Sequence, residues 1–164
     1  MYLVHHQATS RLWALKQMKD LNEAELNKRF ERGMRLHKDL AHRNIMRCFE
    51  TGLDAQGQPY VVTEYVGGGE LGAAVDGGTR LRPDIAVPLI GSVLDGLEYL
   101  HGRQIIHRDI KPPNILLDRA LLDARGAVVR PLPSPKIADF DLAKCYGLAR
   151  AAHASPSSTR QWAH

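Results

Sequence analysis

A glycine-rich segment near the middle of the chain separates two parts with different hydrophobic patterns. The segment reads GGGELGAAVDGG and begins at Gly67. Glycine and small residues at this density interrupt both helices and strands, which is typical of a connector between two compact units. Strand-like runs surround one amphipathic stretch before the connector, and a long helical pattern follows it. The chain is therefore expected to form a small sheet with a helix, followed by a mainly helical part.

The first part contains four short apolar runs of strand type and one helical run. Polar or glycine-containing turns separate the runs in pairs, which predicts two antiparallel pairs. Asn22 with Glu25 three residues later is typical of a capping box at a helix start, and apolar residues recur every four positions after it. The predicted strands are Tyr2–Val4, Arg11–Met18, Ile45–Phe49 and Tyr60–Val66.

The second part begins with the longest helical pattern in the chain. Apolar residues recur at helical spacing from Pro83 to His101, with proline at the start and Gly102 at the end. Three short strands are predicted after the helix, at Gln104–Ile106, Asn114–Leu117 and Lys136–Ala138. Residues 147–164 have no periodic apolar face and are rich in small and polar residues, so we expect them to be disordered.

Composition narrows the class of protein. With 44% hydrophobic and 24% charged residues the chain has ordinary globular composition. Cys48 and Cys145 lie far apart without a CxxC pair, which argues against a disulfide framework or a cysteine zinc site and favours a reducing, cytoplasmic setting. The longest apolar stretch is broken by proline, glycine and acidic residues and falls short of the roughly 20 residues that a membrane span needs. The N-terminus does not have the pattern of a signal peptide.

The positive net charge is weak evidence for a nucleic-acid partner. The charge of +4 comes from basic residues scattered among acidic ones. Four basic residues do recur at helical spacing, but they are expected to form one solvated helix face: Arg29, Arg32, Arg35 and Lys38. No basic stripe interleaved with aromatic residues accompanies them, so a nucleic-acid binder ranks far behind the readings below.

The segment IIHRDIKPPNILL, residues 105–117, carries the most specific chemical signal. Asp109, Lys111 and Asn114 stand between two predicted strands. This segment resembles the catalytic loop of the protein kinase family. The resemblance implies that Asp109 orients or accepts the substrate hydroxyl proton, that Lys111 steadies the transferring phosphate, and that Asn114 binds magnesium. Lysine two residues after the aspartate points to Ser/Thr substrates.

Two further segments resemble the same family in the same order along the chain. KIADFDLAK is similar to the metal-binding Asp-Phe-Gly segment, so Asp139 is expected to chelate Mg²⁺ between the ATP phosphates. In LWALKQM, side chains two apart on a strand share a face, which places Ala14 beside Lys16. The resemblance makes Ala14 a roof over adenine and Lys16 an ATP ligand.

TEYVGGGEL resembles the family's hinge. Main-chain groups of Glu64 and Val66 would hydrogen-bond the adenine edge, and Thr63 would take the gatekeeper position. Glu70 would reach the ribose hydroxyls, although a solvated glutamate on a glycine-rich linker is an equally open reading. Leu116 would form the adenine floor.

Several residues depart from the family pattern. Gly33 stands where the helix normally supplies a glutamate to the strand lysine, and Glu31 points elsewhere on a helix. His37, one turn later, replaces an expected apolar residue. Asp141 replaces glycine and adds negative charge beside the metal site. These departures keep open a second reading, a catalytically impaired module that binds nucleotide or protein without phosphorylating it.

The resemblance implies an α+β, two-lobed, partial protein-kinase-like fold. Its expected parts are an N-lobe over residues 1–66 that lacks the first strand and the Gly-rich loop, a hinge over 67–72, a partial C-lobe over 73–146, and the tail. The implied cofactors are ATP and Mg²⁺, and the implied partner is a protein with a Ser or Thr hydroxyl. Nothing in the sequence indicates the oligomeric state.

Overall fold

The computed structural model describes residues 1–5, 10–17, 24–75 and 80–146. Within these ranges the strands are β1 Tyr2–His5, β2 Leu12–Gln17, β3 Cys48–Leu53, β4 Pro59–Glu64, β5 Ile105–Ile106, β6 Ile115–Leu117, β7 Pro135–Ile137 and β8 Lys144–Cys145. The helices are α1 Ala24–Lys38, α2 Leu71–Val75 and α3 Pro83–Gly102, with a 3-10 turn at Pro112–Asn114. The predicted capping residue Asn22 and the tail 147–164 lie outside the described residues.

The first four strands form one antiparallel sheet in the order β1-β2-β4-β3. The register between β2 and β4 places Ala14 opposite Thr63 and Lys16 opposite Val61. Helix α1 covers this sheet through Phe30, which is buried against Val61 and Cys48. Because β2 is hydrogen-bonded to β1 on one side and to β4 on the other, the backbone at Ala14 and Lys16 is fixed, and their side chains share one face of the sheet.

The predicted strand limits differ from the structure most at the third and fourth strands, and by one residue at several others. The third strand spans Cys48–Leu53 instead of Ile45–Phe49, and the fourth spans Pro59–Glu64 instead of Tyr60–Val66. Ile45 is fully buried and forms an isolated bridge to Ile137, and the next amide, of Met46, donates to the Ile137 carbonyl at 2.9 Å. The apolar run from Ile45 therefore joins the two parts of the molecule before it enters the sheet.

Helix α3 supplies the core of the second part. Its buried residues include Ile85, Leu89 and Leu100. Gly96 permits close approach on the same helix, since a Cβ there would lie 3.0 Å from the Asn44 carbonyl oxygen. One core cluster crosses from the first part to the second and unites Leu40, Ile45, Leu100, Ile105, Ile115, Ile137, Phe140 and Ala143. No helix among the described residues is both long and apolar enough to span a membrane.

Two small antiparallel pairs, β5–β8 and β6–β7, lie beside this core. The glycine-rich connector runs along β6, because the Gly68 amide donates to the Leu117 carbonyl at 2.8 Å and the Leu117 amide donates to the Gly69 carbonyl at 2.9 Å. A Cβ at Gly68 would collide with the backbone of Arg119. The connector is therefore held against the strand that ends the segment 105–117.

Candidate active site

Asp109 lies in the loop between β5 and β6 and is held from two sides. The Lys111 ammonium contacts its carboxylate at 2.9 Å, and the Asn114 amide nitrogen donates to the same carboxylate at 2.8 Å and to the Asp109 carbonyl at 2.9 Å. The hydrogen bond from Lys111, with that from Asn114, lowers the pKa of Asp109. The structure thus brings the three predicted catalytic residues together with an ionised carboxylate at the centre.

His107 is a buried support for this loop. Its Nε2 lies 2.9 Å from the Ala138 carbonyl, and the Asp109 amide donates to Nδ1 at 3.4 Å. These contacts fit the tautomer with hydrogen on Nε2. Burial lowers the pKa of His107, which favours the neutral ring. The ring therefore ties the catalytic loop to the segment that carries Asp139.

The segment after β7 has an unusual backbone. Asp139 has φ of 62°, a left-handed conformation that aspartate tolerates better than most residues. Arg108, with φ of 68°, donates from Nε to the Leu142 carbonyl at 2.6 Å and so connects the catalytic loop to the same segment. Strain of this kind concentrates at functional sites, where the surrounding contacts hold it in place.

Lys16 meets two carboxylates of that segment. Its Nζ lies 3.0 Å from Asp139 Oδ1, 2.7 Å from Asp141 Oδ2 and 5.7 Å from the centroid of the Phe30 ring. Burial alone would lower the pKa of Lys16, but the two carboxylates, Asp141 first, outweigh it and raise the pKa. The strand lysine is therefore a firmly charged ammonium.

The contact with Lys16 does not fully offset the cost of burying the charge of Asp141. Burial raises the pKa of this carboxyl despite the contact with Lys16, and Asp139 raises it further. The raised pKa of Lys16 and the raised pKa of Asp141 are consistent with each other, because one ammonium is shared by two carboxylates. The cluster of Lys16, Asp139 and Asp141 carries an excess negative charge when all three groups are ionised.

A cavity of about 170 Å³ opens between the sheet and the catalytic loop. Five of the predicted nucleotide and metal residues line it: Lys16, Glu70, Asn114, Leu116 and Asp139. Asp141 and Thr63 also line it. An isolated bridge between Glu70 and Leu116 holds the connector at its rim.

Three predicted nucleotide residues are not among the described residues that line the cavity: Ala14, Glu64 and Val66. The Ala14 carbonyl accepts a long hydrogen bond, 3.5 Å, from the Thr63 hydroxyl. The side chain of Glu64 accepts from the Arg47 amide at 2.7 Å and pairs with Lys136 at 2.9 Å. The adenine-facing roles of these residues stay predictions.

Phe140 links two histidines through ring contacts that sequence analysis missed. Its ring stacks on His37 at a centroid distance of 4.5 Å and meets His107 edge-on at 4.9 Å. The three residues are far apart along the chain, so no spacing pattern could have connected them. Sequence analysis also treated Asp141 as added charge beside the metal site and did not find its contact with Lys16.

The donor set at the cavity fits a hard cation. Asp139, Asp141 and Asn114 line the same cavity. The amide nitrogen of Asn114 is committed to Asp109, so its amide oxygen is the group that a cation could use. Magnesium prefers such oxygen ligands and commonly completes its shell with substrate phosphates and water. Among the described residues no cluster of three or more acidic, histidine or cysteine side chains forms a protein-only cage.

Comparison with known proteins gives a consistent family match. The family model for the protein kinase domain matches residues 1–163. An Aurora kinase from Yarrowia lipolytica is 40% identical over 118 residues, which cover 71% of this chain and 32% of the relative. A probable serine/threonine-protein kinase from Streptomyces coelicolor is 32% identical over 151 residues, covering 89% of this chain and 21% of the relative.

A second Aurora kinase, from Schizosaccharomyces pombe, is 33% identical over 118 residues, which cover 71% of this chain and 33% of the relative. The chain therefore spans about a third or less of the length of these curated relatives.

Proposed function

Since this chain belongs to the protein kinase family, and has the partial α+β kinase fold predicted for it, we propose that its site transfers the γ-phosphoryl group of ATP to protein Ser or Thr hydroxyls. The observation that carries the proposal is that Asp109 is held by Lys111 and by Asn114, and that Asn114 lines a cavity together with Lys16 and Asp139. We also propose a cytoplasmic location, which the two free cysteines support.

The reaction needs alignment and charge stabilisation more than covalent chemistry from the protein. The substrate hydroxyl oxygen forms a bond to the γ-phosphorus while the bond from that phosphorus to the β,γ-bridging oxygen breaks, and ADP leaves. Asp109 is ionised, so it orients the hydroxyl and accepts its proton. Lys16 lines the cavity and Lys111 is paired with Asp109, and we assign both the role of placing positive charge beside the phosphates. Glu70 also lines the cavity, which supports the proposed contact with the ribose.

The proposed Mg²⁺ ligands are Asp139 and the amide oxygen of Asn114, where a bound ion would neutralise phosphate charge and orient the phosphates. Thr63 lines the cavity, which supports the proposed gatekeeper role. Leu116 supplies an apolar wall, which is consistent with a flat adenine ring packing against it.

The direct test is phosphotransfer by the purified chain from γ-labelled ATP to a panel of Ser- and Thr-containing proteins. Replacing Asp109→Asn keeps the shape of the side chain but removes the base, and should lower the rate by about 10²- to 10⁴-fold. Asp95→Asn is the matched control, because Asp95 pairs with Arg43 at 2.9 Å on α3, away from the cavity. An Asp109→Asn variant as active as the control would contradict the proposal.

The departures Gly33 and Asp141 support a second candidate, a module that binds ATP without transferring phosphate. Both carboxylates that could receive a cation are paired with Lys16. Magnesium-dependent ATP binding without phosphotransfer to any acceptor, and without difference between the Asp109 and Asp95 variants, would favour this candidate.

A further inference from the structure

The two strongest departures from the family pattern meet in the structure. A Cβ added at Gly33 would lie 2.5 Å from the Phe140 carbonyl oxygen and 3.1 Å from the Asp141 Cα. Those neighbours are backbone atoms, which cannot turn aside as a side-chain end could. Helix α1 and the segment after Asp139 are therefore in contact at the position where α1 would otherwise present a side chain toward the cavity.

The segment that fills this space also delivers a carboxylate to Lys16. Asp141 Oδ2 is the nearer of the two acidic oxygens, at 2.7 Å from Nζ against 3.0 Å for Asp139. Glu31 on α1 contacts Arg35 of the same helix at 3.9 Å instead. The side chain of Asp141 is 37% exposed, so it reaches Lys16 without being enclosed.

We propose that Asp141 is the positioning residue for Lys16 and that Gly33 provides the space for it; this inference rests on the proposed ATP function. A carboxylate that coordinates a cation gives up much of its interaction with a neighbouring ammonium. When Asp139 serves magnesium, Asp141 keeps Lys16 in place to meet the phosphates. Gly33 and Asp141 thus act together: the anionic partner of Lys16 comes from the segment after β7 and not from α1.

A magnesium titration at fixed ATP, read as thermal stabilisation of the purified chain, tests this assignment. Asp141→Asn keeps the size of the side chain and removes its charge, so Lys16 is left to compete with magnesium for Asp139. The magnesium concentration at half-maximal stabilisation should rise about fivefold, the effect of losing a partly exposed ion pair. Asp141→Glu restores a carboxylate and should recover most of the change, whereas Asp95→Asn should leave the midpoint unchanged.

A ligand-free measurement separates positioning from general stability. Lys16→Met, Asp141→Asn and the double variant form a cycle in chemical unfolding, and the double variant should be destabilised by less than the sum of the two single changes. A structural role that did not involve Lys16 would give additive effects.

The outcomes distinguish this inference from the proposed function. An unchanged magnesium midpoint in Asp141→Asn overturns the positioning role, and a lowered midpoint would mean that Asp141 sequesters Lys16 and opposes nucleotide binding. A wild-type chain with no magnesium-dependent ATP stabilisation contradicts the proposed function itself, and the inference then fails with it.

Discussion

His37 is a titratable side chain in a place that almost excludes water. It is 4% exposed, stacks on Phe140, and hydrogen-bonds the Met46 carbonyl through Nε2. Burial lowers its pKa from the ordinary value near 6.5, and repulsion from Lys16, and from His107 when that ring is protonated, acts in the same direction. The Met46 carbonyl opposes this shift, as does Glu64. The folded chain therefore holds a neutral ring where the unfolded chain would hold a charged one at mildly acidic pH.

This pKa shift gives a signed prediction for stability. Below pH 6.5 the His37 ring binds a proton in the unfolded state but stays neutral in the folded state. The contribution of His37 to the free energy of unfolding is therefore fully present above that pH and is lost as the solution is acidified. His107 contributes in the same direction, because burial lowers its pKa as well. Each histidine adds a slope of up to about 1.4 kcal/mol per pH unit. His37→Leu should reduce the slope by up to about 1.4 kcal/mol per pH unit in urea unfolding between pH 7 and 5.

The quantity to compare is the slope of the free energy of unfolding against pH, because His37→Leu also removes the hydrogen bond to Met46 and changes the absolute stability. His101→Gln is the control, since that exposed side chain lies on the last turn of α3. An unchanged slope in the His37 variant would show that its ring is not the acid-sensitive group.

At the residue scale, sequence analysis identified the groups that lie close together along the chain. Asp109, Lys111 and Asn114 lie within six positions, and their mutual contacts follow from one loop. The partner of Lys16 could not be found in the same way, because Asp141 is 125 positions away. Gly33 indicated that α1 supplies no glutamate to Lys16. Only the structure shows that the backbone of Phe140 lies against Gly33 and that Asp141 contacts Lys16.

At the scale of elements, Gly33 of α1 and Gly91 of α3 have opposite surroundings. A Cβ at Gly33 would meet the Phe140 carbonyl at 2.5 Å, whereas a Cβ at Gly91 would meet nothing within 4 Å. Alanine is favoured over glycine inside a helix by about 1 kcal/mol. The same substitution should therefore have opposite effects in the two helices.

Gly33→Ala is expected to destabilise the chain by about 1–3 kcal/mol, because backbone must shift to accept the methyl group. Gly91→Ala is expected to stabilise it by about 0.5–1 kcal/mol through helix propensity alone. Urea unfolding of both variants at pH 7 measures the difference. Stabilisation by both changes would mean that α1 does not pack against Phe140 as described.

The strand limits show where periodicity stops being informative. The run Ile45–Phe49 is mostly apolar, which predicts a strand, and Ile45 and Cys48 within it are buried. Its backbone, however, bridges to Ile137 before the sheet begins at Cys48. A hydrophobic pattern reports that a residue is buried but not which of two sheets receives its hydrogen bonds.

At the scale of the whole molecule, the cavity exists because two parts of the chain meet. Lys16 comes from the first sheet, Asn114 and Leu116 come from the catalytic loop and β6, and Asp139 follows β7. The fold class was predictable because motif order along the chain is specific to the family. The division into residues 1–66, 67–72 and 73–146 stays a prediction, since the core cluster runs continuously across it.

The most direct test of the central claim is ATP-dependent thermal stabilisation with and without magnesium. A ligand that binds only the folded state at ten times its Kd adds about 1.4 kcal/mol of stability, which corresponds to a rise in Tm of about 3–6 °C for a chain of this size. We predict a magnesium-dependent rise for the wild type and for Asp95→Asn, and its loss in Lys16→Ala and Asp139→Ala. An equal rise in all four proteins, or none in the wild type, would contradict the assignment of this cavity as a magnesium–ATP site.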